Sequence, residues 1–209
     1  LNYMSDFKID ICSDLHIDQW SSEFNIKYPC GIIKNAPFSH QNTDSEYLIV
    51  SGDISDNIHD SINYLNYISH YYRKVLFVDG NHEHVDKYPE LYDKDEISKL
   101  INNPKIVYLS KYPHRIKNTV FIGCCGWWDY NNRSPSTIEK CAHYFDNWIK
   151  HFSRQDNLTF TQNVINKSQQ EFKYLFENLE KYQNNPEIDN IVIVTHTLPD
   201  IKYCDNHSE

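Results

Sequence analysis

The chain has 209 residues, a length that fits one globular domain with a substantial core. Its composition is 40% hydrophobic and 14% aromatic, which excludes an intrinsically disordered protein. The formal net charge of −9, without a cluster of lysine or arginine, argues against a protein that binds nucleic acid through a basic surface.

Short apolar runs alternate along the chain with segments whose apolar residues recur at helical spacing. The runs predict strands at residues 7–12, 47–51, 75–78, 106–109, 119–123 and 191–195. The helical spacing predicts helices at 57–72, within 89–102, and at 136–152 and 161–183. Residues 20–45 and 126–135 are predicted to be irregular loops. Alternating strands and helices indicate an α/β fold with helices on the faces of a sheet.

The longest apolar run, at residues 191–194, is far too short to cross a bilayer, and no signal peptide is recognisable. The six cysteines form no Cys-x-x-Cys pair, and Cys12 and Cys124 lie within predicted strands. These observations predict a cytoplasmic protein with reduced cysteines and no membrane partner.

Side chains able to bind metal ions follow four of the predicted strands, at the point where each strand ends. These residues are Asp14 and His16, Asp53, Asn81, and His196. In an open sheet the loops at the carboxyl ends of the strands converge on one crevice. We therefore expect these five side chains to lie near one point, as a site for two metal ions requires.

Most of these residues have an ordinary structural interpretation when each is taken alone. Asp14-x-His16 is typical of a solvated loop, and Asp53 of a turn. Asn81 is suited to cap a helix, with Glu83 in the first turn. The joint order of the motifs favours metal binding over these alternatives.

The order and spacing resemble the calcineurin-like metallophosphoesterase superfamily over roughly residues 7–198. The matching motifs are Asp14-x-His16, Gly52-Asp53, Gly80-Asn81-His82-Glu83 and His196. The resemblance implies an αββα sandwich, in which two mixed β-sheets pack together and helices flank them. It also implies a single domain over residues 1–209.

The resemblance further implies a role for each residue that could bind a metal ion. Asp14 and His16 are expected to bind the first ion, and Asp53 to bridge both. Asn81 and His196 are expected to bind the second ion. Mixed oxygen and imidazole ligands suit manganese, iron, zinc, cobalt or nickel better than calcium, and manganese is favoured.

In the same resemblance His82 is the general acid that protonates the leaving group. Asp56 completes a Gly-Asp-x-x-Asp sequence and is similar to the carboxylate that orients this histidine in the family. A plain helix N-cap is the alternative for Asp56. Two divalent cations would hold a bridging hydroxide for attack on phosphorus and would neutralise the phosphoryl oxygens.

Two features depart from the family pattern. The sequence contains no Gly-His-x-His motif, which normally completes both metal positions. We expect the chain to be incomplete at its C-terminal end, and loss of metal ligands is the alternative. Asn57 and Ile58 stand where protein phosphatases of the superfamily carry an arginine and a glycine, which argues against a phosphoprotein substrate.

The sequence therefore predicts a metal-dependent phosphatase or phosphodiesterase acting on a small phosphorylated molecule, with nucleotides among the candidates. A non-catalytic binding or scaffold protein of the same fold is the alternative, and a nuclease is a further substrate variant. Trp127, Trp128 and Tyr130 either line the cleft or pack against neighbouring helices. His84 has no predicted role.

Overall fold

The computed structural model describes residues 7–19, 44–148 and 154–198. Within these residues the first sheet contains four parallel strands in the order β1-β2-β3-β4. Their bounds are Ile9–Cys12, Tyr47–Ser51, Lys74–Val78 and Ile106–Tyr108. The second sheet has the order β5-β6-β7, with β5 antiparallel and β7 parallel to β6. Its strands are His114–Ile116, Thr119–Cys124 and Asn190–Thr195.

Four longer helices accompany the sheets: α1 is Ile58–Ile68, α2 is Lys94–Leu100, α3 is Pro135–Trp148 and α4 is Arg154–Gln183. Short 3₁₀ helices span Ser69–Tyr71 and His82–Lys87. A single turn at Tyr130–Arg133 has positive φ at every residue. No helix within the described ranges combines the length and the apolar character needed to cross a membrane.

The predicted sandwich of two sheets flanked by helices is confirmed. Mixed strand directions are found in the second sheet, whereas the first is parallel throughout its described strands. Strand β5 was not predicted, because its three residues include a histidine and an arginine and form no apolar run. Most of the predicted loop at 20–45 lies outside the described residues.

The central strands of the first sheet are buried on both faces. Leu48 and Val50 of β2 pack against α1 and α2, whereas Tyr47 and Ile49 pack towards the second sheet. Burial of both faces explains why β2 and β3 appear in the sequence as unbroken apolar runs. It also fixes where the chain leaves these strands, and thereby where the following loops begin.

Helix α4 is connected to the end of β6 through a buried carboxylate. Glu171 is 8% exposed, and its Oε2 accepts hydrogen bonds from the backbone N–H groups of Gly126 and Trp127 at 3.0 and 2.9 Å. Trp127 and Tyr130 pack with Phe160 of α4 in a hydrophobic cluster. Tyr130 thus packs against the helix, whereas Trp127 packs there and also lines a cavity beside Thr195 and Thr197.

Burial and the nearby charge of Asp79 raise the pKa of Glu171 to about 7. The two N–H donors and Lys167 lower this pKa, but by less. Because the folded-state pKa lies above the ordinary value of 4.5, the folded protein retains a proton that the unfolded chain releases. This carboxyl group therefore makes the protein less stable as pH rises from 4.5 towards 7.

Replacing Glu171 with glutamine is expected to remove this pH dependence, because the amide oxygen still accepts from both N–H groups. The free energy of unfolding of the native protein, relative to Glu171→Gln, should fall by about 3 kcal/mol between pH 4.5 and 7. Urea denaturation across this range measures the difference. The exposed Glu180→Gln on the same helix is the control and should parallel the native protein. A constant difference between native protein and Glu171→Gln would contradict the prediction.

Candidate metal centre

The predicted metal-binding residues lie in loops that follow β1, β2, β3 and β7. The loops after β1 and β2 run side by side and are joined by backbone hydrogen bonds. The N–H of Asp14 donates to Gly52 O at 3.1 Å, and the N–H of His16 donates to Asp53 O at 3.1 Å. The side chains of Asp14, His16 and Asp53 are thereby brought to the same edge of the sheet.

These paired loops adopt an unusual backbone conformation. Asp14, His16 and Asp53 have φ values of 54°, 42° and 54°, in the region that L-residues rarely occupy. Gly52 has φ of 78°, and a Cβ atom there would lie 2.6 Å from the backbone nitrogen of Gly80. A glycine is therefore required at residue 52, where the loops after β2 and β3 approach one another.

Asp53 lies at the centre of the cluster and is 4% exposed. Its Oδ2 lies 3.3 Å from His196 Nε2, 3.7 Å from His82 Nε2 and 3.9 Å from His16 Nε2. Its Oδ1 accepts the backbone N–H of His82 at 2.9 Å. Burial raises the pKa of the Asp53 carboxyl, but the hydrogen bond and charge of His196 and the contacts with His82 outweigh burial and leave the pKa below its ordinary value.

His196 has the orientation expected of a metal-binding histidine. Its Nδ1 lies 2.8 Å from Ser51 O, so an N–H there donates to the carbonyl and directs Nε2 into the cluster. Nε2 lies 3.1 Å from Asn81 Oδ1. Burial lowers the pKa of His196. The hydrogen bond and charge of Asp53 and the hydrogen bond to Ser51 O have the larger, opposite effect and raise the pKa from 6.5 to about 9. The surroundings of this nitrogen therefore favour positive charge.

The structure brings all five predicted residues together. Potential ligand atoms of Asp14, Asp53 and His196 lie within 4.8 Å of one another, as do those of His16, Asp53 and His82. Asp53 belongs to both groups. The assignment of each ligand to a first or second ion stays a prediction.

Asp56 contacts His82, as the resemblance implies. His82 Nδ1 lies 2.5 Å from Asp56 Oδ1, and His82 Nε2 is directed towards Asp53. The N-cap of α1 is Asn57, whose Oδ1 accepts from the backbone N–H groups of residues 59 and 60. The helix-cap alternative for Asp56 is therefore not what the structure shows, and its carboxylate is available to fix the His82 ring.

Glu83 has a structural role that the sequence analysis did not identify. Its side chain is completely buried and accepts hydrogen bonds from the backbone N–H groups of Asp53, Ile54 and Gly80 at 2.9, 2.7 and 2.7 Å. Ser61 Oγ donates to the same carboxyl group. Burial raises the pKa of Glu83, and the N–H donors counteract part of this effect. Glu83 thereby joins the loop after β3 to the loop after β2.

Asn81 precedes the 3₁₀ helix at His82–Lys87 but makes no capping hydrogen bond through its side chain. Its amide oxygen is directed instead at His196. The capping alternative for Asn81 therefore lacks support in the structure.

The donor set suits divalent transition metals. It combines carboxylates, one neutral amide oxygen and imidazole nitrogens, which match manganese, iron or zinc better than an all-oxygen calcium site. Asp53 Oδ2 lies within 3.9 Å of the Nε2 atoms of three histidines, whereas Oδ1 accepts the backbone N–H of His82. A bridging role for Asp53 stays a prediction. The residues present therefore fit a site for two divalent cations.

Comparison with known proteins agrees with this geometry. The family model described as calcineurin-like phosphoesterase matches residues 7–209. The crystal structure of phosphopantetheinyl hydrolase (PptH) from Mycobacterium tuberculosis is similar, with a TM-score of 0.56 and 16% sequence identity. The match covers 95% of this chain and 71% of that one, and at this identity it supports the fold alone. A search of the curated proteins finds no match.

The family match extends over nearly the whole chain, and the residues singled out in the sequence converge on one cluster. The chain belongs to the calcineurin-like phosphoesterase family.

Proposed function

We propose that this protein hydrolyses a small phosphomonoester or phosphodiester with the help of two divalent metal ions, manganese being favoured. The observation that carries the proposal is the convergence of Asp14, His16, Asp53, Asn81 and His196 from four separate strand ends. When bound, two such ions lower the pKa of a shared water and neutralise the phosphoryl oxygens.

The protein's own residues would supply the remaining steps. Asp53 and His196 lie at the centre of the cluster, with Asp53 Oδ2 3.3 Å from His196 Nε2, and would help to hold the ions there. His82 would donate a proton to the leaving oxygen from Nε2, while Asp56 fixes the ring through Nδ1. His82 lies beside His16, with ring centroids 4.5 Å apart, so the proton donor borders the metal-binding residues.

The substrate itself is proposed only as a chemical class. The net charge of −9 argues against a nucleic acid, whose phosphates are normally bound by lysine and arginine. The similar solved structure carries the name of a phosphopantetheinyl hydrolase, which makes small phosphorylated molecules a reasonable first panel. Nucleotides belong in the same panel, and a cytoplasmic location remains a prediction.

A non-catalytic binding or scaffold protein is the second candidate. Such a protein would keep the fold and the cluster of side chains without turnover. Metal analysis of the purified protein separates the two candidates. Two bound manganese ions together with turnover support the enzyme, and weak metal uptake without turnover supports the scaffold.

Asp53→Asn is expected to lower kcat/KM for an aryl phosphodiester by at least ~100-fold in the presence of Mn²⁺. Substitution of a residue that only hydrogen-bonds to a metal ligand already lowers metal affinity or activity about 10–100-fold. The Asp53 carboxylate lies at the centre of the cluster, so its loss should cost more. Steady-state kinetics and calorimetric Mn²⁺ titration provide the measurement. The exposed Asp95→Asn is the control and should retain native values. Unchanged turnover in Asp53→Asn would refute the proposed function.

His82→Gln is expected to slow hydrolysis by a factor that depends on the leaving group of the substrate. An alkyl phosphoester needs a proton on the departing oxygen, so its hydrolysis should slow by about 10²–10⁴-fold. A 4-nitrophenyl ester, whose leaving group departs as an anion, should lose far less. Asp56→Asn should show the same dependence with a smaller loss.

The control is His59→Gln, because His59 is exposed on α1 and lies outside the cluster. It should leave both substrates unaffected. Equal losses for the two leaving groups in His82→Gln would show that His82 is not the proton donor.

A further inference from the structure

Two buried residues flank the loop that carries Asn81 and His82. Asp79 follows the last residue of β3, Val78, on one side of this loop, and His84 lies on the other side; both are completely buried. The Oδ2 of Asp79 lies 2.9 Å from His84 Nε2. A side-chain hydrogen bond therefore closes the segment from residue 79 to residue 84.

The partners of these two residues determine where the imidazole carries its hydrogen. His84 Nδ1 lies 2.9 Å from the backbone nitrogen of Tyr92 and accepts its N–H. His84 must then carry its hydrogen on Nε2 and donate it to Asp79. The other oxygen of Asp79 accepts from Tyr108 Oη at 2.7 Å and from Ser110 Oγ at 2.8 Å. The donor and the acceptor of each hydrogen bond in this group are therefore determined.

This buried group contacts the loop at further points. The backbone N–H of His84 donates to Asn81 O at 3.2 Å, and Tyr88 Oη donates to the same carbonyl at 3.3 Å. The His84 ring packs edge-on against Trp127, with centroids 5.3 Å apart. The position of Asn81 relative to His196 thus depends on how His84 is held.

We propose that Asp79 and His84 are positioning residues that set the place of the Asn81 amide oxygen and thereby the affinity of the site for divalent metal ions. This inference rests on the metal-binding function proposed above for the cluster. Neither residue contacts the ion in the proposal, and both act through the loop between them. An apolar pair of similar volume would fill the same space, but no hydrogen bond would then join the two ends of the segment from residue 79 to residue 84.

The inference predicts a specific failure in Asp79→Asn. If the amide oxygen stays with Tyr108 and Ser110, the amide NH₂ faces the donating Nε2–H of His84. If the amide rotates, its oxygen accepts from His84, but the buried Tyr108 hydroxyl loses its acceptor. We expect Asp79→Asn to weaken Mn²⁺ binding at least ~10-fold.

Removing the Tyr108 hydroxyl should restore binding in that variant. In Asp79→Asn/Tyr108→Phe the rotated amide accepts from His84 and donates to Ser110 Oγ. Its Mn²⁺ affinity should lie within about threefold of that of Tyr108→Phe alone, as expected for coupled neighbours. A general loss of packing would be made worse, not better, by this second substitution.

Calorimetric Mn²⁺ titration of the full chain gives affinity and stoichiometry without any substrate, and thermal unfolding of the metal-free proteins gives stability. Ile68→Ala is the control for lost stability, because Ile68 is buried at the end of α1 beside Ser69, whose carbonyl accepts from Lys105 at the amino end of β4. It should lower the melting temperature at least as much as Asp79→Asn and leave Mn²⁺ affinity within about twofold of native.

A second pair of variants serves if Asp79→Asn does not fold. His84→Gln can donate to Asp79 from the position of Nε2 and should keep Mn²⁺ affinity within about threefold. His84→Leu lacks both groups and should lose at least ~10-fold. Equal affinity in these two variants, native affinity in Asp79→Asn, or no recovery in the double variant would each overturn the inference.

Because no outcome uses hydrolysis, failure of the proposed reaction would be seen separately. A protein that binds Mn²⁺ through this loop but turns over no phosphoester would retain the positioning role and lose the proposed function.

Discussion

The architecture of the cluster depends on the buried carboxylate of Glu83. Its two oxygens accept the backbone N–H groups that open the loop after β2 and the loop after β3. Without an acceptor, three buried N–H groups would each lose a hydrogen bond, at a cost of about 1–3 kcal/mol per group. The same contacts hold Asp53 beside the Asn81 loop, and no apolar residue could replace them. Glu83 therefore sets the distance between Asp53 and the loop that carries Asn81.

The negatively charged carboxylates of the cluster repel one another unless positive charge lies between them. Asp53 is nearly buried, and the exposed Asp14 lies close to it. In the protein alone, the proton on His196 supplies that charge, which explains why the pKa of His196 rises to about 9 despite burial. A divalent cation in the same place would replace this proton and add further charge. The site is thus arranged for cations before any ion binds.

The sequence was sufficient to predict six of the seven described strands and the sandwich. It also predicted the convergence of the motifs after β1, β2 and β3, because parallel strands place their carboxyl-end loops along one edge. It was insufficient where several residues compete for one role. Asp56 and Asn57 are both residue types that cap helices, and the structure shows that the N-cap of α1 is Asn57. Glu83 and Asp79 look like solvated residues beside an apolar run, since a sequence does not show which N–H groups lack acceptors.

The strained loops explain why these hydrogen bonds must be so numerous. Positive φ at Asp14, His16 and Asp53 costs on the order of 1–3 kcal/mol at each residue, and such strain persists only where the surroundings enforce it. The enforcement is visible in the backbone bonds between the loops after β1 and β2, which continue from residue 14 to Ile17. The strain and the buried hydrogen-bond acceptors therefore belong together. The folded core maintains a backbone that the loops alone would not adopt, and this backbone brings the side chains of Asp14 and Asp53 close to one another.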